Sequence, residues 1–215
     1  MKVNPLAGRE SQMKDLYDHT KEALWWSYQV MSVWGIAGVG KSYLVRKLFC
    51  ERILMKRSIH QKYGWVDVSH PFNLSDLSRS LFLSFHSESL HACEPSYYDN
   101  MGSKNPIVQC REILKQYKCL VVLDGLKCTK EWDLIQAELV SGSHAKTLFI
   151  IITNEQKIAK HCRDDKGEFV FNVKGLEPEA AFHLFEQVCF SVNLSSFFFM
   201  FPLSEFSPRA QTLWW

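Results

Sequence analysis

Hydrophobic positions along the chain fall into five short runs, either continuous or alternating with polar residues, and polar or chain-breaking residues bound each run. This pattern is typical of β-strands, and the predicted strands cover residues 29–34, 63–68, 119–124, 146–153 and 169–173. Between them, apolar positions recur every three to four residues. That spacing predicts helices over residues 42–54, 74–85, 107–114 and 156–161, with a further helix after Glu177.

Strands and helices alternate along most of the chain. Runs made almost entirely of Val, Ile and Leu are typical of strands buried on both faces, as in a parallel sheet covered by helices. The pattern therefore predicts an α/β fold of three layers around a mostly parallel five-stranded sheet. From residue 191 onward no periodicity is visible, so we expect a domain over residues 1–190 and an unassigned hydrophobic tail over residues 191–215.

Composition restricts the class of protein without naming a function. The 215 residues are 47% hydrophobic, which is enough for a substantial core. The 25 basic and 23 acidic residues leave a net charge of +2, so no overall field favours nucleic acid or an anionic membrane as partner. The seven cysteines form no CxxC pair, which favours a reducing, cytoplasmic location. No run approaches the roughly 18 apolar residues of a membrane span, and no signal peptide is recognised.

A glycine-rich octet follows the first predicted strand and leads into the first predicted helix. Residues 35–42, GIAGVGKS, satisfy the phosphate-loop pattern G-x-x-x-x-G-K-[ST] in the strand-to-helix context that it requires. Glycines let backbone N–H groups face a phosphate chain, Lys41 adds a positive charge, and the Ser42 hydroxyl is a ligand for Mg²⁺. The candidate nucleotide-binding residues are Gly35, Gly38, Val39, Gly40, Lys41, Ser42 and Tyr43.

An acidic residue at the end of a buried strand supplies the other half of a metal site. Asp124 follows the apolar residues of CLVVL, and a phosphate loop needs such a carboxylate to complete the surroundings of Mg²⁺. Asp-Gly is also an ordinary turn dipeptide, so Asp124 taken alone could equally be a turn residue that ends a strand and has no role at a metal. Together with the phosphate loop it predicts a P-loop NTPase fold in which Ser42 and Asp124 hold the metal and Asp124 also acts in catalysis.

Several segments, taken in order, resemble the NB-ARC nucleotide-binding domain of plant disease-resistance proteins, the NLR class. The resemblance runs from Leu6 to Phe190 in unbroken order. Beyond the phosphate loop, it rests on five blocks: LAGRE (6–10), YGWVDVS (63–69), CLVVLDGL with the later Trp132, AKTLFIIITN (145–154) and FNVKGLEPEAAFHLF (171–185).

The resemblance implies a set of site residues and ligands. ADP or ATP would bind with Mg²⁺. Leu6 would flank the adenine, and Arg9 would lie by the sugar or phosphates. Thr153, at the end of its predicted strand, would take part in catalysis. Two positions depart from the family pattern: Gly125 replaces a second aspartate, and Asn154 replaces the arginine of Thr-Thr-Arg. The losses imply that binding is retained and turnover is poor, so the chain is at most a weak ATPase.

These features predict a nucleotide-dependent regulatory module of plant innate immunity. The family's C-terminal lobe and leucine-rich repeats do not follow Phe190, so the resemblance implies a truncated switch, with other receptor chains as possible partners. One alternative is a small P-loop phosphotransferase, for which residues 89–104 lack the arginine-rich lid expected of a kinase. The other is a non-switching fragment that pairs with full-length receptors.

Overall fold

The computed structural model of the chain describes residues 8–25, 29–54, 59–86, 105–163 and 169–191. The strands in these ranges are β1 (Val30–Trp34), β2 (Lys62–Asp67), β3 (Cys119–Leu126), β4 (Leu148–Thr153) and β5 (Val170–Asn172). The helices are α1 (Glu10–Trp25), α2 (Lys41–Leu54), α3 (Leu74–His86), α4 (Pro106–Gln116), α5 (Thr129–Ile135), α6 (Gln156–His161) and α7 (Pro178–Ser191). No helix in the described ranges is both long and apolar enough to cross a bilayer.

The five strands form one sheet in the order β2-β3-β4-β1-β5. Every neighbouring pair is parallel, so the predicted α/β fold is confirmed and the described sheet is parallel throughout. In a parallel sheet all carboxyl ends meet at one edge, and ligands bind outside that edge. Here Trp34 of β1 pairs with Thr153 of β4, and Asp67 of β2 pairs with Asp124 of β3. The ends of β1, β2, β3 and β4 therefore lie at one edge of the sheet, where the polar residues are Asp67, Asp124 and Thr153.

Two helices in the described residues were absent from the sequence prediction. The buried positions of α1 are Met13, Leu16, Thr20 and Ala23, and only two of them are large and apolar, so its inward face gives a weak signal. The helix α5 has only seven residues and continues directly into a π-helical turn over Gln136–Val140. Its buried positions are Trp132 and Ile135, while Leu134 between them is 51% exposed, so the apolar residues do not mark one face.

The core lies on both sides of the sheet, and its most buried strand is β4. All six positions of β4 are buried, as expected for a strand with neighbours on each side and helices above and below. Trp132 of α5 is fully buried in the cluster that also contains Leu81, Leu114 and Phe149. The large indole thereby joins a short helix, whose own turns contribute little stability, to the main core.

The described residues divide into two compact units. Residues 11–175 form the larger unit, which contains the whole sheet, and the described parts of 1–10 and 176–215 form the other. Within the smaller unit, α7 begins at Pro178, directly after Glu177 as predicted, and its apolar residues Phe182 and Phe185 are each 56% exposed. The hydrophobic tail over residues 192–215 lies outside the described residues, so the division at residue 190 stays a prediction.

Candidate nucleotide-binding site

The phosphate loop connects the carboxyl end of β1 to the first residue of α2. Gly35 follows the strand directly, and a Cβ at this position would lie 2.7 Å from the carbonyl oxygen of Val173. That distance excludes any side chain without a shift of backbone, which explains why the loop begins with glycine. At the tip, a Cβ on Gly38 would meet no atom within 4 Å, so the backbone there is open to a ligand.

Lys41 is the buried cation of the loop, with only 7% of the residue exposed. Its Nζ donates hydrogen bonds to Gly35 O at 3.0 Å, to Ile36 O at 2.9 Å and to Asn154 Oδ1 at 2.7 Å. Burial lowers the pKa of the ammonium group, and the charge of Asp124 opposes that shift. The lysine thus holds the start of the loop and the end of β4 around one positive charge.

Ser42 and Asp124, the predicted metal ligands, are brought into direct contact. The Ser42 hydroxyl donates a hydrogen bond to the Asp124 carboxylate. Desolvation raises the pKa of Asp124, as does the charge of Asp67, while the Ser42 hydrogen bond and the nearby cations Lys41 and Arg46 lower it. The Ser42 hydroxyl, from the first turn of α2, and the Asp124 carboxylate, from near the end of β3, therefore lie on the same side of the loop.

Gly125 occupies a backbone conformation that few other residues adopt. Its φ is +92°, and the pairing of β3 with β4 shifts register between Asp124 and Leu126, as at a β-bulge. His70 Nε2 lies 3.1 Å from the carbonyl oxygen of Gly125 and holds the bulge from the side of β2. The glycine is therefore required by the shape of the strand end, and a second aspartate would be strained at this backbone geometry.

The carboxylates that follow β3 along the chain are engaged away from the metal ligands. Glu131 Oε2 accepts hydrogen bonds from the backbone N–H groups of Lys127 and Cys128, each at 3.1 Å, and so closes the first turn of α5. Asp133 Oδ1 lies 2.7 Å from Nε2 of His161. Glu131 Oε1 also lies 3.5 Å from His70 Nδ1, so Glu131 supports the residue that contacts the Gly125 carbonyl, whereas Asp133 faces α6.

The end of β4 contributes a buried hydroxyl and an exposed amide. Thr153 is buried, and its Oγ1 accepts a hydrogen bond from Glu155 N at 3.3 Å, which positions the start of α6. In the sequence, Asn154 stands out only as the residue that replaces the family's arginine. In the structure its Oδ1 accepts a hydrogen bond from Nζ of Lys41. The side chain is uncharged, but it links the strand end to Lys41, and only the folded geometry reveals this link.

The other predicted site residues have mixed positions. Val39 is buried, and Tyr43, in the first turn of α2, is 48% exposed. Leu6 lies outside the described residues. Arg9 belongs to the smaller unit, where its side chain is buried and burial lowers the pKa of the guanidinium. The roles of Leu6 and Arg9 at the adenine, sugar or phosphates stay predictions.

The residues of the larger unit fit a nucleotide bound with Mg²⁺. The loop presents open backbone at Gly38, a buried ammonium at Lys41 and an oxygen pair at Ser42 and Asp124. In the described part of the chain, no three His, Cys, Asp or Glu side chains form a group that could hold an ion. Because Mg²⁺ needs six oxygen ligands, an ion beside Ser42 and Asp124 would depend on phosphate and water oxygens.

The parallel sheet, the phosphate loop after β1 and the aspartate near the end of β3 define a P-loop NTPase fold. Solved structures agree at the level of fold. The structure of the Orc1 protein of Aeropyrum pernix in complex with DNA superposes with a TM-score of 0.62 at 15% identity, over 88% of this chain and 51% of that one. A signal-transduction ATPase with a tetratricopeptide-repeat sensor from Pyrococcus horikoshii gives a TM-score of 0.50 at 20% identity, over 87% and 26%.

Within this class the chain belongs to the NB-ARC domain family, whose model matches residues 11–195. A probable disease resistance RPP8-like protein 2 of Arabidopsis thaliana is 27% identical over 184 residues, covering 85% of this chain and 19% of that protein. The chain therefore spans about a fifth of the length of the curated relatives it matches. The family assignment confirms the resemblance found in the sequence.

Proposed function

We propose that the chain is an ADP- and ATP-binding regulatory module of a plant disease-resistance receptor. The observation that carries the proposal is the buried Lys41 ammonium, held at the mouth of the phosphate loop beside the Ser42–Asp124 pair. Membership of the NB-ARC family supports nucleotide as the ligand. The relatives named as disease resistance proteins support defence signalling as its context.

Each group of the loop has a distinct part in binding. The backbone N–H groups at the start of α2 and the positive end of that helix face the phosphates, and Lys41 adds a full charge. Ser42 and Asp124 would hold Mg²⁺, which when bound neutralises phosphate charge. Because Lys41 already donates to three oxygens, phosphate oxygens would exchange with some of these acceptors without stripping the ammonium of hydrogen bonds.

Titration of the purified chain with fluorescent ADP and fluorescent ATP, with and without Mg²⁺, tests the proposal. We expect saturable binding of both nucleotides, with tighter ATP binding when Mg²⁺ is present because the ion offsets the charge of the third phosphate. A cooperative thermal transition measured on the same sample establishes that the protein is folded. A folded chain that binds neither nucleotide would contradict the proposed function.

Free thiols among the described residues agree with a cytoplasmic location for the proposed module. Cys110, Cys119 and Cys162 are buried and unpaired, and burial raises the pKa of each to about 12. Such thiols stay protonated and serve as small apolar core residues. Their retention as free thiols favours the reducing interior of the cell, where disulfides rarely form.

We also propose that the chain hydrolyses ATP slowly, and we expect bound ATP to persist for many minutes. The position after Asp124 carries no proton acceptor, and Asn154 carries no charge with which to stabilise the transferring phosphoryl group. Each such loss typically reduces a rate about a hundredfold, although two losses at one transition state do not simply multiply. Single-turnover conversion of bound ATP to ADP measures this rate directly.

A pair of substitutions at Gly125 separates the missing carboxylate from backbone strain. Both Gly125→Asp and Gly125→Ala place a Cβ at a φ of +92°, so both introduce the same strain and only the first adds a proton acceptor. We expect Gly125→Asp to hydrolyse ATP at least about tenfold faster than Gly125→Ala, with similar ATP affinity, because the group acts on water. Equal single-turnover rates for the two variants would contradict the account of slow hydrolysis.

A further inference from the structure

A second carboxylate stands beside Asp124 on the neighbouring strand. Asp67 is the last residue of β2 and is paired with Asp124 in the parallel ladder. Paired residues of adjacent strands point to the same face of the sheet and lie about 4.8 Å apart. The hydrogen bond from Val68 N to Asp124 O, at 2.8 Å, fixes this register at the strand end itself. The two carboxylates thus face the same side of the carboxyl edge.

The surroundings of Asp67 hold one oxygen and leave the group accessible. Trp65 Nε1 donates a hydrogen bond to Asp67 Oδ1 at 3.2 Å, and the Arg46 guanidinium stacks on the Trp65 ring, 4.6 Å from its centroid. Asp67 is exposed, and within the described residues it forms no salt bridge. The position of Asp67 is therefore set by an indole N–H, and its negative charge is not neutralised by a contacting cation.

The charges around this edge make a neighbouring cation favourable. Burial raises the pKa of Asp124 and the adjacent charge of Asp67 raises it further, whereas the charges of Lys41 and Arg46 lower it. The Lys41 ammonium, the nearest buried cation of the loop, is directed to two loop carbonyls and Asn154. Glu131 is bonded to the backbone N–H groups before α5 and to His70, and Asp133 is bonded to His161. Asp67 is the carboxylate that the strand register places beside Asp124.

We propose that Asp67 is a second acidic group of the metal–nucleotide site, where it accepts hydrogen bonds from the water ligands of Mg²⁺. The inference rests on the proposed function, because it requires nucleotide to be bound at the phosphate loop. Mg²⁺ in such sites keeps several waters, and carboxylates beyond the direct ligands orient those waters. Asp67 then sets how strongly ATP binding depends on Mg²⁺. Gly125, which follows Asp124 in the chain, has no side chain and cannot accept such hydrogen bonds.

The substitution Asp67→Asn gives effects of opposite sign in the two metal conditions. Without Mg²⁺, the loss of a negative charge removes repulsion toward the phosphates, so ATP should bind as well as before or up to about threefold tighter. With Mg²⁺, the loss of an outer acceptor should reduce the gain in ATP affinity produced by the ion about tenfold. A variant that was simply damaged would instead bind more weakly in both conditions.

The experiment measures the dissociation constant of ATP in EDTA and in excess Mg²⁺ for the full chain, and takes the ratio as the magnesium gain. Asp133→Asn is the matched control, since it removes the same charge from a residue bonded to His161 and should keep the parent's gain. Trp65→Phe leaves Asp67 in place without its indole donor, and it should lower the gain by a smaller factor than Asp67→Asn does.

The outcomes separate this inference from the proposed function. A parent that binds ATP with a clear magnesium gain, alongside an Asp67→Asn variant with the same gain, would overturn the role of Asp67 and leave nucleotide binding intact. A folded parent that binds no nucleotide would overturn both. A reduced gain in Asp67→Asn with an unweakened affinity in EDTA would support the inference.

Discussion

Replacing Lys41 by alanine is expected to weaken the binding of ADP and ATP by about thirty- to a thousandfold. The substitution removes the one buried cation of the phosphate loop among the described residues, where a charge-assisted contact is worth about 2–4 kcal/mol. It also removes the donor to Gly35 O and Ile36 O, two carbonyls at the base of the loop. Titration with fluorescent ADP and ATP in the presence of Mg²⁺ measures the loss.

A lysine at the opposite end of the sheet supplies the control. Lys115 is exposed near the end of α4, just before β3 begins, and Lys115→Ala should bind both nucleotides as the parent does. Thermal unfolding of each variant shows whether the lost contacts also destabilise the fold. If a folded Lys41→Ala protein binds ATP within threefold of the parent, the phosphate loop is not the binding site.

Replacing Trp132 by alanine should lower the free energy of unfolding by about 3–5 kcal/mol, the usual cost of deleting a buried aromatic side chain. Trp132 is fully buried and lies in the main core cluster with Leu81, Leu114 and Phe149. Because a domain is typically stable by only about 5–15 kcal/mol, this single change takes much of the total. Urea denaturation followed by circular dichroism gives the difference between parent and variant.

Two other tryptophan substitutions define the specificity of that effect. Trp132→Phe should cost less than Trp132→Ala, because a ring still fills the site and the indole N–H has no acceptor among the described residues. Trp25→Ala should change stability by less than about 0.5 kcal/mol, because Trp25 is 84% exposed at the end of α1. Equal losses for Trp132→Ala and Trp25→Ala would exclude Trp132 as an anchor of the core.

The sheet was predictable from the sequence because each strand is a local pattern. The run at 148–153 is apolar at five of its six positions, and the structure buries all six in β4. The helix predicted at 156–161 coincides with α6. By contrast, α1 has a buried face that includes Thr20, whose hydroxyl is satisfied by Leu16 O at 2.7 Å. A polar residue paired within its own helix is buried without leaving an apolar signal in the sequence.

The candidate site divides in the same way between local and distant relations. The phosphate loop could be located because its residues are contiguous and their order has a mechanical reason. The contact of Lys41 with Asn154 joins residues 113 positions apart, and it depends on β1 and β4 being neighbours. The position of Asp67 depends equally on its register with Asp124. Strand order and register arise from packing of the whole unit, so no single segment contains them.

The strand order also fixes when the site can form during synthesis. The strand β1, which carries the phosphate loop, pairs only with β4 and β5 in the described sheet, and both lie far later in the chain. A nascent chain emerging from the ribosome has completed the loop sequence long before Leu148 is added, so the loop strand waits without its partners. The strands β2 and β3 can pair with each other before β4 has been synthesised. We therefore expect the chain to bind nucleotide late in biosynthesis, after β4 and β5 have paired with β1.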